Sequence, residues 1–262
     1  MPAETIDDVI RSLDAIIDWA WTSKSRLGYF AALYRRITRA VKTGIEKGQF
    51  QNGPLMERLD VVFASRYLDA FDQFRAGRQP SRAWQIAFRA GSWRYPIVVQ
   101  QLLAGVNAHI NLDLGIAAAA TAPDDQLPSL KTDFDQINGV LAGEVGTVEK
   151  EIAEVSPLIG LLEKFSLKTD TVIINFSLEK ARDFAWSQAV NLAPKSGPEL
   201  QAAINDLDGE VELLGRLIVS PPLLIKTKLF PIRLFESNHV RPILDVLART
   251  KPAAAAVATA GG

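Results

Sequence analysis

Apolar side chains recur along this chain every three or four residues, the spacing of one helix face, and no stretch alternates convincingly as a strand would. Val9, Ile10, Leu13, Ile16 and Ile17 predict a helix over 4–18, and Leu33, Ile37, Val41 and Ile45 predict one over 28–47. A third runs over 54–75, opened by Pro54 where a missing donor is harmless, and a short one over 81–90 is capped by Ser81. Further helices are predicted over 96–120, 129–155, 158–165, 170–192, 199–219 and 231–248. The segment TVIINF (171–176) has strand propensity, but its flanks continue as helix and it is read as helix. Gly- and Pro-rich breaks at 48–54, 77–80, 122–125, 194–198 and 221–222 separate these elements.

The pattern predicts an all-α fold: a compact single-domain bundle of nine or ten helices around a buried central helix, about 96–120. Residues 1–250 form that domain, with Ser156-Pro157 the one place where it could divide into subdomains. The Ala- and Gly-rich stretch 251–262 is expected to be disordered.

The central run, QQLLAGVNAHINLDLGIAAAA, is apolar enough to be buried on every side, yet carries Asn107, His109, Asn111 and Asp113. Residues four apart lie about 40° from one another on a helix. His109 and Asp113 therefore form one polar pair, and Asn107 and Asn111 a second on roughly the opposite face. A buried polar group without a partner costs about 1–3 kcal/mol, so two or more neighbouring helices must answer these four.

Other polar side chains fall on apolar faces. Asp60 shares a stripe with Ala64, Tyr67 and Phe71, and its expected partner is an arginine of the 28–47 helix. Arg66 and Asp69 are placed as a pair at the rim. Asp135 and Asn138 lie three apart on the next long helix, and Glu179, Arg182 and Trp186 make a stripe in which Glu179 pairs with Arg182. Glu236 and His239 read as Glu-x-x-His, which in di-metal bundles aims both side chains at one metal. Two histidines in all are too few for a full copy. The reduced variant is a single divalent metal held by His109, Asp113, Glu236 and His239.

Composition excludes more than it suggests. The absence of cysteine removes disulfides, thiolate metal sites and cysteine nucleophiles, and fits a reducing compartment. No signal-like start is present, and the apolar run 96–112 is broken by polar residues, so a cytoplasmic protein without a membrane span is expected. The net charge of −1 gives no reason to expect nucleic acid or an anionic membrane as partner. Residues 1–100 carry 15 Lys and Arg against 10 Asp and Glu, while 101–150 carry 2 against 7. This is read as a solvated face or, more sharply, as an approach for an anionic ligand lined by Arg35, Arg36, Arg39, Arg66 or Arg82. No P-loop, dinucleotide fingerprint, nucleophile elbow or HExxH is present.

At MERLDVVFASRYLDA and NAHINLDLGIAAA the sequence resembles the family called domain of unknown function 5995, over about residues 28–250. That resemblance implies a family and no activity. The residues support a small-molecule enzyme with a pocket inside the bundle and acid–base chemistry (cyclisation, isomerisation or elimination) on an apolar substrate. The catalytic candidates are His109, Asp113 and Asp60. Those for binding are Asn107, Asn111, Tyr67, Asp135, Asn138, Arg182 and Trp186. No cofactor is expected beyond the metal variant, which would make the protein a hydrolase or oxidase. The alternative is a non-catalytic binder of an apolar ligand or helical partner, with the buried polar cluster structural.

Overall fold

In the computed structural model the described residues, 3–93, 95–159 and 177–249, form eleven α-helices and no strand. They are α1 (Ile6–Ser23), α2 (Gly28–Glu46), α3 (Gly53–Arg75), α4 (Arg82–Ala90), α5 (Val98–Val106), α6 (Gly115–Thr121), α7 (Leu127–Val155), α8 (Leu178–Leu192), α9 (Gly197–Val219), α10 (Leu223–Phe235) and α11 (Val240–Leu247). Between α5 and α6 the backbone widens into a π-helix, Asn107–Leu114, so the expected central helix is one run in three parts. The helix expected over 158–165 and the reading of TVIINF fall mostly or wholly outside the described residues.

Local chemistry accounts for the boundaries. Thr5 and Asp8 cap α1 reciprocally, and the predicted stripe Val9, Leu13, Ile16 and Ile17 is buried. Asn52 accepts from the Leu55 amide to start α3, with Pro54 in its first turn. Three helix starts, that of α3 again among them, are held by carboxylates from distant parts of the chain. Asp133 of α7 accepts from the Gln51 and Asn52 amides at 2.7 Å each, ahead of α3. Asp208 of α9 accepts from Arg82 and Ala83 at the start of α4, and Glu236 accepts from the first amide of α5, Val98, at 3.0 Å.

The expected helix over 231–248 is two helices. Pro231 lies inside α10 instead of opening it, because Leu229 and Ile232 together bury against Ile97 and hold the helix on both sides of the proline. The chain then leaves helical geometry at Glu236, whose carboxylate turns inward as the cap of α5, and resumes at Val240.

α2, α3, α4, α8 and α9 all pack on the α5–π–α6 run. The stretch Val98–Thr121 is long and apolar enough to cross a membrane, but 89% of its apolar window is buried in the protein. Two glycines let neighbours come close. A Cβ at Gly105 would stand 2.5 Å from the Phe30 ring, and one at Gly115 would stand 2.7 Å from the Ala185 carbonyl oxygen. The largest apolar cluster draws on α1 and α11 alike, so residues on both sides of Ser156-Pro157 share it.

Candidate functional site

α2, α3, α5, the π segment and α7 enclose a cavity of about 360 Å3, which the first residues of α8 complete. That volume is within the usual range of small-molecule sites. Its walls are mostly apolar, and the stripe Leu33, Ile37 and Val41 predicted on α2 faces this space. Tyr29, Phe30, Ala32 and Tyr34 of the same helix are buried. Leu33, Ile37 and Val148, which are partly exposed, mark the side where the cavity nears solvent.

His109, from the π segment, and Asp60, from α3, line this cavity. His109 is 2% exposed, stacked on Phe63 at 3.6 Å between centroids and met edge-on by Tyr34 at 4.3 Å. Neither ring nitrogen has a protein hydrogen-bond partner. Burial holds its pKa below the usual imidazole value, against the opposing pull of Asp113. The Asp113 carboxylate is 3.7 Å from Nδ1, beyond hydrogen-bond range, so it acts on a protonated ring as a charge.

Asp60 is 8% exposed, and its Oδ2 likewise has no protein partner. Burial, reinforced by the charge of Glu57, pushes its carboxyl up to about 7. The arginine expected to neutralise it is engaged elsewhere. Arg36 is buried between Glu144 and Glu151 at 2.5 Å each, while Arg35 and Arg39 both reach Asp14.

Asp113 faces away from this space. Its oxygens accept from Arg66 Nε at 2.8 Å and Trp84 Nε1 at 2.7 Å. Arg66 therefore reaches across to the central run instead of pairing with Asp69, because the π segment presents Asp113 to α3 and α4. Asn111 donates to Asn107 at 2.9 Å, and Asn107 donates to the Val211 carbonyl of α9. The two asparagines pair as expected, outside the cavity lining. Tyr67 is buried edge-on against Phe30 and does not line the cavity.

Arg182 lines the cavity, 3% exposed, and stacks over Phe134 at 4.4 Å. Its Nε donates to Asn138 at 2.6 Å and its Nη2 to the Phe134 carbonyl, so the expected pair with exposed Glu179 is not formed. Burial lowers its pKa to about 10. Asn138 thus positions Arg182. Asp135 pairs with Lys131 at the surface, and Trp186 packs on Phe134 at 4.9 Å.

Two expected constellations are not assembled. Among the described residues no group of three or more His, Asp or Glu could hold a metal ion, so the set His109, Asp113, Glu236 and His239 fails. Glu236 and His239 lie at the break between α10 and α11, where helical spacing does not apply, and Glu236 is committed to Val98. The arginine approach also fails. Arg35, Arg36, Arg39, Arg66 and Arg82 each meet a carboxylate, and none lines the cavity. What the sequence did not single out is the aromatic wall of Phe30, Tyr34 and Phe63 around His109. The signal was present: Phe30 and Tyr34 are four apart on α2, and Phe63 follows Asp60 by three on α3.

A family model described as a family of unknown function, DUF5995, matches residues 6–221. No curated protein and no solved structure matches the chain.

Proposed function

For this chain, which belongs to the DUF5995 family of unknown function, we propose a small-molecule enzyme that moves protons on a mainly apolar substrate between Asp60 and His109. One observation carries the reading: three titratable side chains, Asp60, His109 and Tyr34, each more than nine-tenths buried and with polar atoms that have no protein partner, face the same cavity, and of these the carboxyl and the imidazole can exchange protons near neutral pH. A buried polar atom left unpaired costs about 1–3 kcal/mol, and a fold that tolerates several around one cavity is presenting them to what the cavity holds.

Their environments divide the work. Burial favours the neutral imidazole, so His109 accepts a proton at neutral pH. Asp60, pushed up to about 7, is partly protonated there and donates one. As His109 takes a proton, Asp113 at 3.7 Å stabilises the imidazolium by charge and is a positioning residue. Phe63, Ile110 and Leu114 give the substrate an apolar wall, and Arg182, which lines the same cavity, anchors an oxygen or carboxylate of the substrate. Acceptance at one carbon and donation at another give isomerisation. Loss of a leaving group or ring closure gives elimination or cyclisation.

Native mass spectrometry of the purified protein, followed by turnover of the molecule it retains, tests this. His109→Gln and Asp60→Asn should each retain binding and lose about 100-fold or more in kcat. Full turnover in both would sink the assignment. The closed state of the Asp113 and Asn107 networks favours the second reading, a non-catalytic carrier. Under that reading the retained molecule is released unchanged by every variant.

A further inference from the structure

We propose that the substrate of this cavity is an apolar monocarboxylic acid whose carboxylate Arg182 holds, an inference that rests on reading the cavity as a substrate site. Buried charges are paired as a rule, because the water they give up must be replaced. Arg182 departs from that rule. It lines the cavity at 3% exposure and forms no ion pair with any carboxylate of the described residues. Its partners are neutral: the Asn138 side-chain oxygen on Nε at 2.6 Å, the Phe134 carbonyl on Nη2, and the Phe134 ring at 4.4 Å. Nη1 has no acceptor among the described residues. The charges that act on this guanidinium are committed elsewhere, since Asp135 pairs with Lys131 and Asp183 is exposed. The protein fixes the side chain in place and leaves its charge to be met from the cavity.

The other charges around the space do not meet it. Glu144 pairs with Arg36 at 2.5 Å, and Glu149 is exposed. Burial pushes Asp60 up to about 7, so it is partly neutral. One carboxylate balances one guanidinium, and its two coplanar oxygens match the N–H fork. A phosphate would bring more charge than a single arginine answers into walls made of Leu33, Ile37, Phe63 and Ile110. Size completes the description. A cavity of about 360 Å3 has room for on the order of a dozen heavy atoms at roughly 30 Å3 each, which is a carboxylate on about ten carbons.

The test is titration calorimetry of the full chain with decanoate, against decanol and decylamine of the same chain length. Decanoate should bind at least about tenfold more tightly than either, the worth of one charge-assisted hydrogen bond. Arg182→Leu should weaken decanoate about tenfold or more and leave decanol within about twofold, which also shows that the variant keeps its cavity. Should that variant lose decanol as well, the ranking in the wild type decides alone. Decanol bound as tightly as decanoate by the wild type overturns the acid and leaves the cavity a ligand site. Decanoate undiminished in Arg182→Leu, or not bound at all, overturns it too. Failure of the catalytic reading looks different: decanoate binds through Arg182, while His109→Gln and Asp60→Asn turn over the retained molecule at the full rate.

Discussion

The two sides of the π segment carry the same kinds of side chain to opposite ends. On one, Asp113 is met by Arg66 and Trp84, and Asn107 and Asn111 close a chain that ends on the Val211 carbonyl. On the other, two residues from Asn111, His109 lies against an aromatic wall with both nitrogens unanswered, and Asp60 faces the same space. Burial is nearly equal on the two sides, so it does not distinguish scaffold from site. The balance of donors and acceptors does: the satisfied side holds the helix in place, and the unsatisfied side is available to a guest. A π-helical turn suits this division, because such turns concentrate at functional sites and displace side chains from the α-helical register.

The sharpest way to break the contrast is Asp113→Ala. It leaves a guanidinium and an indole N–H without their acceptor. Removing one member of a buried pair costs about 3–5 kcal/mol; Arg66 is one-third exposed, so about 2–4 kcal/mol is expected in urea unfolding at pH 7. A loss below about 1 kcal/mol would place Asp113 outside the scaffold.

Asp60→Asn should act in the opposite direction. The unfolded carboxyl releases its proton near 3.8 and the folded one near 7, so between these values the folded state holds the extra proton. Stability therefore falls as pH rises across that window and is lowest above it. The amide removes this dependence and should stabilise the protein at pH 8 by up to about 4 kcal/mol, the equivalent of a shift of roughly three pH units. Unfolding of variant and wild type at pH 4 and pH 8 would show the two curves converging at the acid end. Parallel curves would mean that Asp60 has a partner.

The smallest effect at neutral pH should come from His109→Gln, which keeps a polar group against Phe63. Because burial depresses the folded pKa, the unfolded state takes up a proton first on acidification. Wild-type stability from this residue is lost as pH falls below about 6.5, opposite in sign to Asp60. The glutamine variant should lack that acid-side loss while differing by less than about 1 kcal/mol at pH 8. An equal loss at both pH values would indicate a packing role alone.

The helical class and the central run were legible because hydrophobic spacing encodes a helix and its buried face directly. The polar positions were legible too, since a charge on an apolar stripe is conspicuous in any register. Their partners were not. Arg66 sits three residues from Asp69 yet reaches Asp113, and Asp60 has no arginine although α2 supplies three. Which side chains meet depends on how helices rotate about one another, and the π turn and the break at Glu236 shift that rotation without leaving a periodic signal. Glu236 shows the ambiguity best. The spacing that made it resemble a metal ligand does not fall on one helix, and its carboxylate serves a backbone amide instead.

That carboxylate also imposes an order on biosynthesis. Val98 waits for an acceptor 138 residues further along the chain, and the amides of Arg82 and Ala83 wait 126 and 125 residues for Asp208. At translation rates of about 5–20 residues per second, the head of the central helix is made roughly 7–28 seconds before its cap exists. During that interval the most apolar stretch of the nascent chain has no closed core to enter. Asp208 on α9 and Glu236 after α10 are thus the latch of the fold, and a ribosome that stalls before them leaves a chain for chaperones to hold.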